Sequence, residues 1–159
     1  MNALISSKLL YMPRMSQSFD FAHAPGHLIR RAQQIAVSVF AERMSSFGVT
    51  PVQFAVLNAL MDTPGIDQVT LSGRVAFDAA TSGSVIGRLE SKGWIRREAD
   101  AKDRRRKLLW LTRQGERATL KMKPEVTLVQ TQILDPLDAD EQKRLMELLL
   151  KLVKAQSSN

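Results

Sequence analysis

The sequence predicts a mainly α-helical chain with one small β-hairpin. Three observations carry that prediction. Apolar residues recur at helical spacing over most of the 159 residues. Ile66 to Thr112 reads as a helix, a tight turn, a second helix, and two short strands around a polar tip. Capping residues and Pro/Gly stops punctuate the helices. A helix-turn-helix followed by a hairpin is a winged helix-turn-helix, an arrangement suited to duplex DNA. The charge agrees. From Arg88 to Lys107 there are nine basic and four acidic residues, a surplus of five in a chain whose net charge is +7. A polyanionic partner is the simplest reason to gather cations so tightly.

The elements follow in order. Pro25-Gly26 marks a break, after which Leu28, Ile29, Ala32, Ile35, Ala36, Val39 and Phe40 repeat at helical spacing to about Ser46. Phe47-Gly48 ends that helix. Thr50 then caps the next one, with Pro51 at its first position and Gln53 placed for a capping box. Val52, Val56, Ala59 and Leu60 form its buried stripe, and Thr63-Pro64-Gly65 stops it. Asp67 caps a short helix, Gln68 to Arg74, with Val69, Leu71 and Val75 facing inward. Asp78 caps a longer helix that stops at Gly93, with Val85, Ile86 and Leu89 in the core. Trp94–Glu98 and Lys107–Leu111 are strands flanking the tip Ala99–Arg106. Thr112 caps a long helix that Pro124 should kink or divide. Asp138 and Glu141 make a second capping box before a face of Leu145, Leu148, Leu149, Leu152 and Val153.

Three regions result: a flexible arm over 1–24, helices for dimerisation over 25–49 and 113–159, and the winged domain over 50–112. The terminal helices carry more apolar surface than a small winged domain covers, so a symmetric homodimer is expected.

Composition excludes several classes. The 44% hydrophobic content supports a folded core. No run of 18 apolar residues exists, so no membrane span is expected. The first fifteen residues lack the pattern of a signal peptide. There is no Cys, which removes disulfides, thiolate zinc sites and thiol switches. A cytoplasmic, nucleoid-associated location fits best. Enzyme chemistry finds no support: there is no phosphate-binding Gly loop and no Gly-x-Ser-x-Gly, and Asp138, Asp140 and Glu141 are explained by capping. No catalytic residue and no cofactor are expected. His23 and His27 are four apart, but Pro25 separates them and no nearby Asp, Glu or Cys completes a metal set, so no metal site is expected.

Several segments together resemble the MarR (multiple antibiotic resistance regulator) family of bacterial transcription factors. They are TPVQFAVLNAL, the turn and helix DAATSGSVIGRLESKGWIRR, and the wing DRRRKLLWLTRQG with its Asp-x-Arg at Asp103-Arg104-Arg105. Arg88-Leu89-Glu90 followed by Lys92-Gly93 also fits, and the resemblance runs from about Pro25 to Lys154. It implies an α-rich homodimer with one winged domain per subunit and terminal helices that dimerise. It implies repression of nearby genes, relieved by a small, often aromatic, anionic effector. APGHLIRRAQQ looks like members that respond to aromatic acids or their thioesters. The chain also departs from the pattern. Many members carry Arg where this chain has Ser84, and the adjacent Gly83 lowers helix propensity by roughly 1 kcal/mol relative to Ala. Shape and wing contacts then carry more of the specificity. The absence of Cys excludes the redox-sensing branch.

Within this frame the helix from Asp78 to Lys92 enters the major groove, offering Ala79, Thr81, Ser82 and Ser84 from its exposed N-terminal side. Arg88 has two readings of equal weight: contact with phosphate or guanine, or an ion pair with Glu90 or Asp103 that holds the wing. Arg105 is the leading candidate for insertion into the minor groove. Asp103 is expected to orient Arg105 or Arg104 through a bidentate ion pair. Lys102, Arg104 and Arg106 are expected to contact phosphates. His27, Arg30 and Arg31 are candidates to bind an effector carboxylate, with Phe47 and Phe54, beside Phe19 and Phe21, walling a pocket. The competing reading gives the aromatics to packing and the arginines to solvent. Two other functions compete as well: a weakly specific architectural DNA-binding protein, and a protein-interaction module that docks an acidic partner on its basic hairpin.

Overall fold

The computed structural model describes residues 19–75 and 79–156, without the side chains of residues 79, 80 and 156. The expected Asp78 cap and most of the expected arm lie outside the described residues. Two compact units divide the chain after Gln34. In the first, helix α1 (Pro25–Arg43) begins with Leu28 and Ile29 exposed.

In the second unit, α1 ends with Phe40 buried while Ile35 and Val37 stay exposed. A 3-10 turn, Ser45–Phe47, closes on Gly48, whose φ of 57° lies in the left-handed region. Helix α2 (Pro51–Asp62) opens with the expected capping box. The Gln53 amide N–H donates to Thr50 Oγ1 (3.2 Å), and the Thr50 N–H donates to Gln53 Oε1 (3.0 Å). Val56, Ala59 and Leu60 are buried as expected; Val52 is exposed, and Gln53 takes an inward place instead.

A third strand, absent from the sequence reading, follows. β1 (Ile66–Asp67) pairs antiparallel with β3 (Lys107–Leu111), which also pairs with β2 (Ile95–Ala99), giving the order β1-β3-β2. Two residues are too few to show a periodic signal. Gly65 leads into β1 at φ 76° and donates its N–H to the Leu109 carbonyl (2.9 Å). Its missing Cβ leaves room for the Trp110 ring.

Helix α3 (Gln68–Arg74) is capped by Asp67, which accepts from the Val69 and Thr70 amides (both 3.1 Å). Leu71 is buried, but Val69 is 82% exposed rather than inward. In so short a helix only one turn faces the core. Helix α4 (Ala79–Ser91) buries Ile86 and Leu89 and ends in a Schellman arrangement at Gly93, φ 71°. There the Trp94 N–H reaches the Leu89 carbonyl (3.0 Å) and the Gly93 N–H reaches that of Glu90 (2.8 Å).

Helix α5 (Arg113–Leu134) starts on the Thr112 cap and runs unbroken past Pro124, which does not divide it. Met122 and Val129, buried on either side of the proline, hold both halves to the core against the lost amide bond. The break comes later, and helix α6 (Ala139–Gln156) begins at the expected Asp138–Glu141 box. Leu148, Leu149, Leu150 and Leu152 of α6 are all exposed.

Gly115 supports the most demanding contact. It is buried in the first turn of α5, and a Cβ there would overlap the Trp94 carbonyl oxygen. In an open helix, Gly→Ala gains up to about 1 kcal/mol. Gly115→Ala is expected to lower stability by about 1–3 kcal/mol, because overlap with backbone has no rotamer to relieve it. Gly87→Ala, where nothing lies within 4 Å of the new methyl, should raise stability. Urea denaturation of the two variants checks the opposite signs.

Candidate nucleic-acid interface

The second helix of the motif, α4, separates two faces. Ser82, Ile86 and Leu89 are buried; Thr81, Ser84 and Arg88 are exposed at i, i+3 and i+7 and share one stripe. Ser82 therefore does not sit on the outer face as expected. Its hydroxyl accepts a hydrogen bond from Gln68 Nε2 of α3 (3.0 Å), which fixes one helix of the motif against the other. The backbone at Ala79 opens α4, and its side chain lies outside the described residues. Arg88 makes neither ion pair considered for it. Glu90 is taken by Arg97 Nε (3.0 Å), and Asp103 faces the wing backbone.

The wing tip is built by its own acids. Asp100 Oδ1 accepts from the Lys102 N–H (2.8 Å), and Asp103 Oδ1 accepts from the Arg105 N–H (3.0 Å). The Arg106 N–H closes on the Asp103 carbonyl (2.9 Å), and the Asp100 N–H on that of Arg106 (3.1 Å). Asp103 thus shapes the turn and forms no bidentate pair with Arg104 or Arg105. An Asp two residues before an N–H bonds it more readily than it reaches a long side chain.

The basic residues sort into two groups. Arg96 pairs with Glu98 and lies 5.5 Å from the centre of the Trp110 ring; Arg97 pairs with Glu90. Arg106, expected to meet phosphate, instead has Nη2 2.9 Å from Asp67 Oδ2 and Nη1 3.6 Å from Asp100 Oδ2. Among the described residues, Arg88, Lys102, Arg104, Arg105 and Lys107 have no carboxylate partner and are exposed. A cavity of about 380 Å³ lies between α3, α4 and the wing, lined by Gln68, Ser82, Arg105, Arg106 and Lys107 among others.

This distribution decides what the surface can do. Hydroxyls on a narrow helix face, beside unneutralised cations on a hairpin tip, suit base edges in one groove and phosphates around it. A comparison with known proteins agrees. A model of the MarR family matches residues 47–106. The transcriptional regulator HosA of Escherichia coli O127:H6 is 38% identical over 105 residues, 66% of this chain and 78% of HosA. The chain belongs to the MarR family. It is accordingly a DNA-binding transcriptional regulator with a winged helix-turn-helix. Two solved MarR-type regulators are similar over most of the chain. PcaV of Streptomyces coelicolor, in complex with its natural ligand, is 36% identical with a TM-score of 0.82, covering 88% of this chain and 99% of PcaV. BpsR of Bordetella bronchiseptica, whose DNA binding is regulated by 6-hydroxynicotinic acid, is 31% identical with a TM-score of 0.82, covering 86% and 98%.

The candidate effector residues fall in both units. In the first, the His27 ring lies 4.4 Å from that of Phe21, Arg30 Nη2 is 3.4 Å from His27 Nδ1, and Arg31 is exposed. His23 pairs with Asp20 at 2.6 Å. In the second, Phe54 is half-buried with its ring 6.4 Å from that of Phe40. Phe47 lines a cavity of about 320 Å³ with Trp94, Gln114, Arg117, Ala118 and Lys121. Among the described residues no group of three His, Cys, Asp or Glu could hold a metal, and no helix is long and apolar enough to cross a membrane.

Sequence reasoning missed Gln68 and the Asp67–Arg106 pair. Gln68 carries no pattern of its own, and Asp67 and Arg106 are 39 residues apart. Asp67 has a titration to match its contacts. The Thr70 N–H and hydroxyl, and then the Arg106 guanidinium, hold its carboxyl at about 2, below the usual 3.8. A depressed carboxylate contributes stability above its unfolded value and loses it as pH falls through the folded one. The contribution is on the order of 1–2 kcal/mol at neutral pH. Wild type should therefore exceed Asp67→Asn in unfolding free energy at pH 7, with the gap closing between about pH 4 and pH 2. A gap that stays constant through that window would show that Asp67 has no special role.

Proposed function

We propose that this protein is a homodimeric repressor, cytoplasmic and nucleoid-associated, that binds a palindromic operator and leaves it when a small aromatic acid binds. The stripe Thr81–Ser84–Arg88, beside the cations Lys102, Arg104 and Arg105 that have no carboxylate partner among the described residues, is the observation that carries the DNA assignment. Each α4 enters a major groove, the two readers standing about 34 Å apart as a two-fold pair does. Each wing holds the adjacent minor groove through Arg105. Short hydroxyl side chains let the helix backbone approach the bases, and Ala79 at its start does the same.

The dimer assignment rests on the apolar face of α6, where Leu148, Leu149 and Leu152 remain about half exposed in one chain. The effector assignment rests on likeness: a regulator of this fold answers to 6-hydroxynicotinic acid, and this chain carries His27, Arg30 and Arg31 at the start of α1 and the aromatic residues Phe47 and Phe54 near α2.

Fluorescence anisotropy on duplex DNA from upstream of the coding region, against a scrambled duplex, tests specificity. A preference of about a thousandfold is expected at physiological salt, reversed by hydroxylated aromatic acids. Equal binding to both would favour the architectural reading, and no binding at moderate salt the protein-interaction module. Arg105→Ala should lose about 1–3 kcal/mol of operator affinity; wild-type affinity in that variant would remove the wing from the interface. Sedimentation equilibrium should give twice the chain mass for wild type and a shift toward monomer for Leu149→Asp.

A further inference from the structure

Among the described residues, Arg106 differs from every neighbouring cation in having two carboxylates on it. Asp67 and Asp100 come from separate places: Asp67 ends β1 and caps α3, while Asp100 opens the wing turn. Their side chains are 19% and 15% exposed, against 53% for Arg106. Asp67 is already committed to the Val69 and Thr70 amides and to the Thr70 hydroxyl (2.8 Å). One guanidinium between two carboxylates leaves a local surplus of negative charge. A phosphate reaching for Arg106 meets that surplus, and capturing it would strip a partner from the α3 cap. Arg105, one residue earlier, has no such restraint and lies on the same cavity.

We propose that Arg106 is a positioning residue: it ties the wing to the first turn of α3 and thereby fixes where Arg105 and Lys107 stand relative to α4. It does not neutralise a phosphate. The inference rests on the reading that the wing grips DNA, and it replaces the phosphate role that sequence alone gives Arg106.

The salt dependence of operator affinity separates the two roles. Each phosphate contact adds about 0.9 to the slope of log affinity against log salt. In the full-length protein, Arg105→Ala should weaken binding and lower the slope by about 1. Arg106→Ala should weaken binding on the order of tenfold at every salt concentration, with the slope unchanged. Asp67→Asn is the sharper variant, because it keeps a capping side chain at the start of α3 while removing the charge that holds Arg106. Removing an acid beside DNA tightens binding if only charge counts; the clamp predicts weaker binding. A slope lowered by about 1 in Arg106→Ala, with tighter binding in Asp67→Asn, would overturn the proposal and make Arg106 a phosphate ligand. An Arg105→Ala protein with wild-type affinity and slope would instead sink the wing reading. Amide hydrogen exchange in the DNA-free protein tests the clamp by itself. Residues 100–106 should exchange faster in Arg106→Ala than in wild type or Arg105→Ala, and equal exchange would overturn it.

Discussion

The carbonyl of Trp94 is the point on which the winged domain turns. It accepts the Thr112 N–H (3.0 Å), so the strand leaving α4 and the strand entering α5 are locked at their open end. The Thr112 hydroxyl donates to the Gly93 carbonyl (2.6 Å) and accepts the Gly115 N–H (3.0 Å). One threonine thus joins the stop of α4, the base of the hairpin and the start of α5. Gly115 lets the first turn of α5 lie directly against that carbonyl. Lys92 adds to the junction from the side, with Nζ 2.7 Å from the Gly48 carbonyl and 4.8 Å from the centre of the Trp94 ring. The end of α4, the base of the wing and the start of α5 are therefore fixed to one another by short contacts at Trp94 and Thr112, and the loop at Gly48 is tied in by the Lys92 side chain.

From that fixed base the hairpin extends five paired residues to its tip, roughly 16 Å at the usual rise per residue. A two-stranded ribbon of that length twists and bends readily, so its far end needs a second attachment if it is to hold a defined place. The third strand and the Asp67–Arg106 contact supply one. Ile66 and Asp67 pair with Leu109 and Leu108 midway along β3, and Arg106 closes beyond them. The same contacts sort the charge. Arg96, Arg97 and Arg106 are balanced by acids along the strands, while Lys102, Arg104 and Arg105 are left for solvent or a polyanion. Exposed pairs of this kind contribute about 0–1 kcal/mol each to stability. Their larger effect is to leave most of the uncompensated charge of the wing at its tip.

Much of this was legible in the sequence because it is local. Capping boxes at Thr50 and Asp138, the Asp67 and Thr112 caps, and the Gly48 and Gly93 stops each depend on residues within three or four positions, and all are present. The two hairpin strands lie within one residue of their expected places, whereas β1, only two residues long, carries no signal. The failures are tertiary. Val52 and Val69 fit a helical stripe but face solvent, and Ser82 fits a polar face but is buried under Gln68. Periodicity says that a helix has two faces; which residues at the margin turn inward depends on the neighbour. Asp103 was misread in the opposite direction. A side-chain ion pair with Arg104 or Arg105 was expected, where the Arg105 backbone N–H takes the carboxylate instead.

The direction in which motion can pass follows from the same junction. Gly115 has no side chain to compress and the Trp94 carbonyl cannot rotate without breaking its bond to Thr112, so the first turn of α5 and the base of the wing have no slack between them. Rotating α5 must carry β2, β3 and the end of α4 with it, or break that bond. The reading helix cannot stay behind, because α3 and α4 are joined through Gln68 and Ser82, and α3 is joined to the wing tip through Asp67. The winged domain therefore responds as a unit to any displacement of α5. Its internal contacts set how Arg105 stands relative to the α4 stripe, and what varies is the orientation of the whole. On the proposed reading, in which the Thr81 and Ser84 hydroxyls meet base edges at close range, a change in that orientation is enough to lose them, while the longer cations at the tip keep their reach.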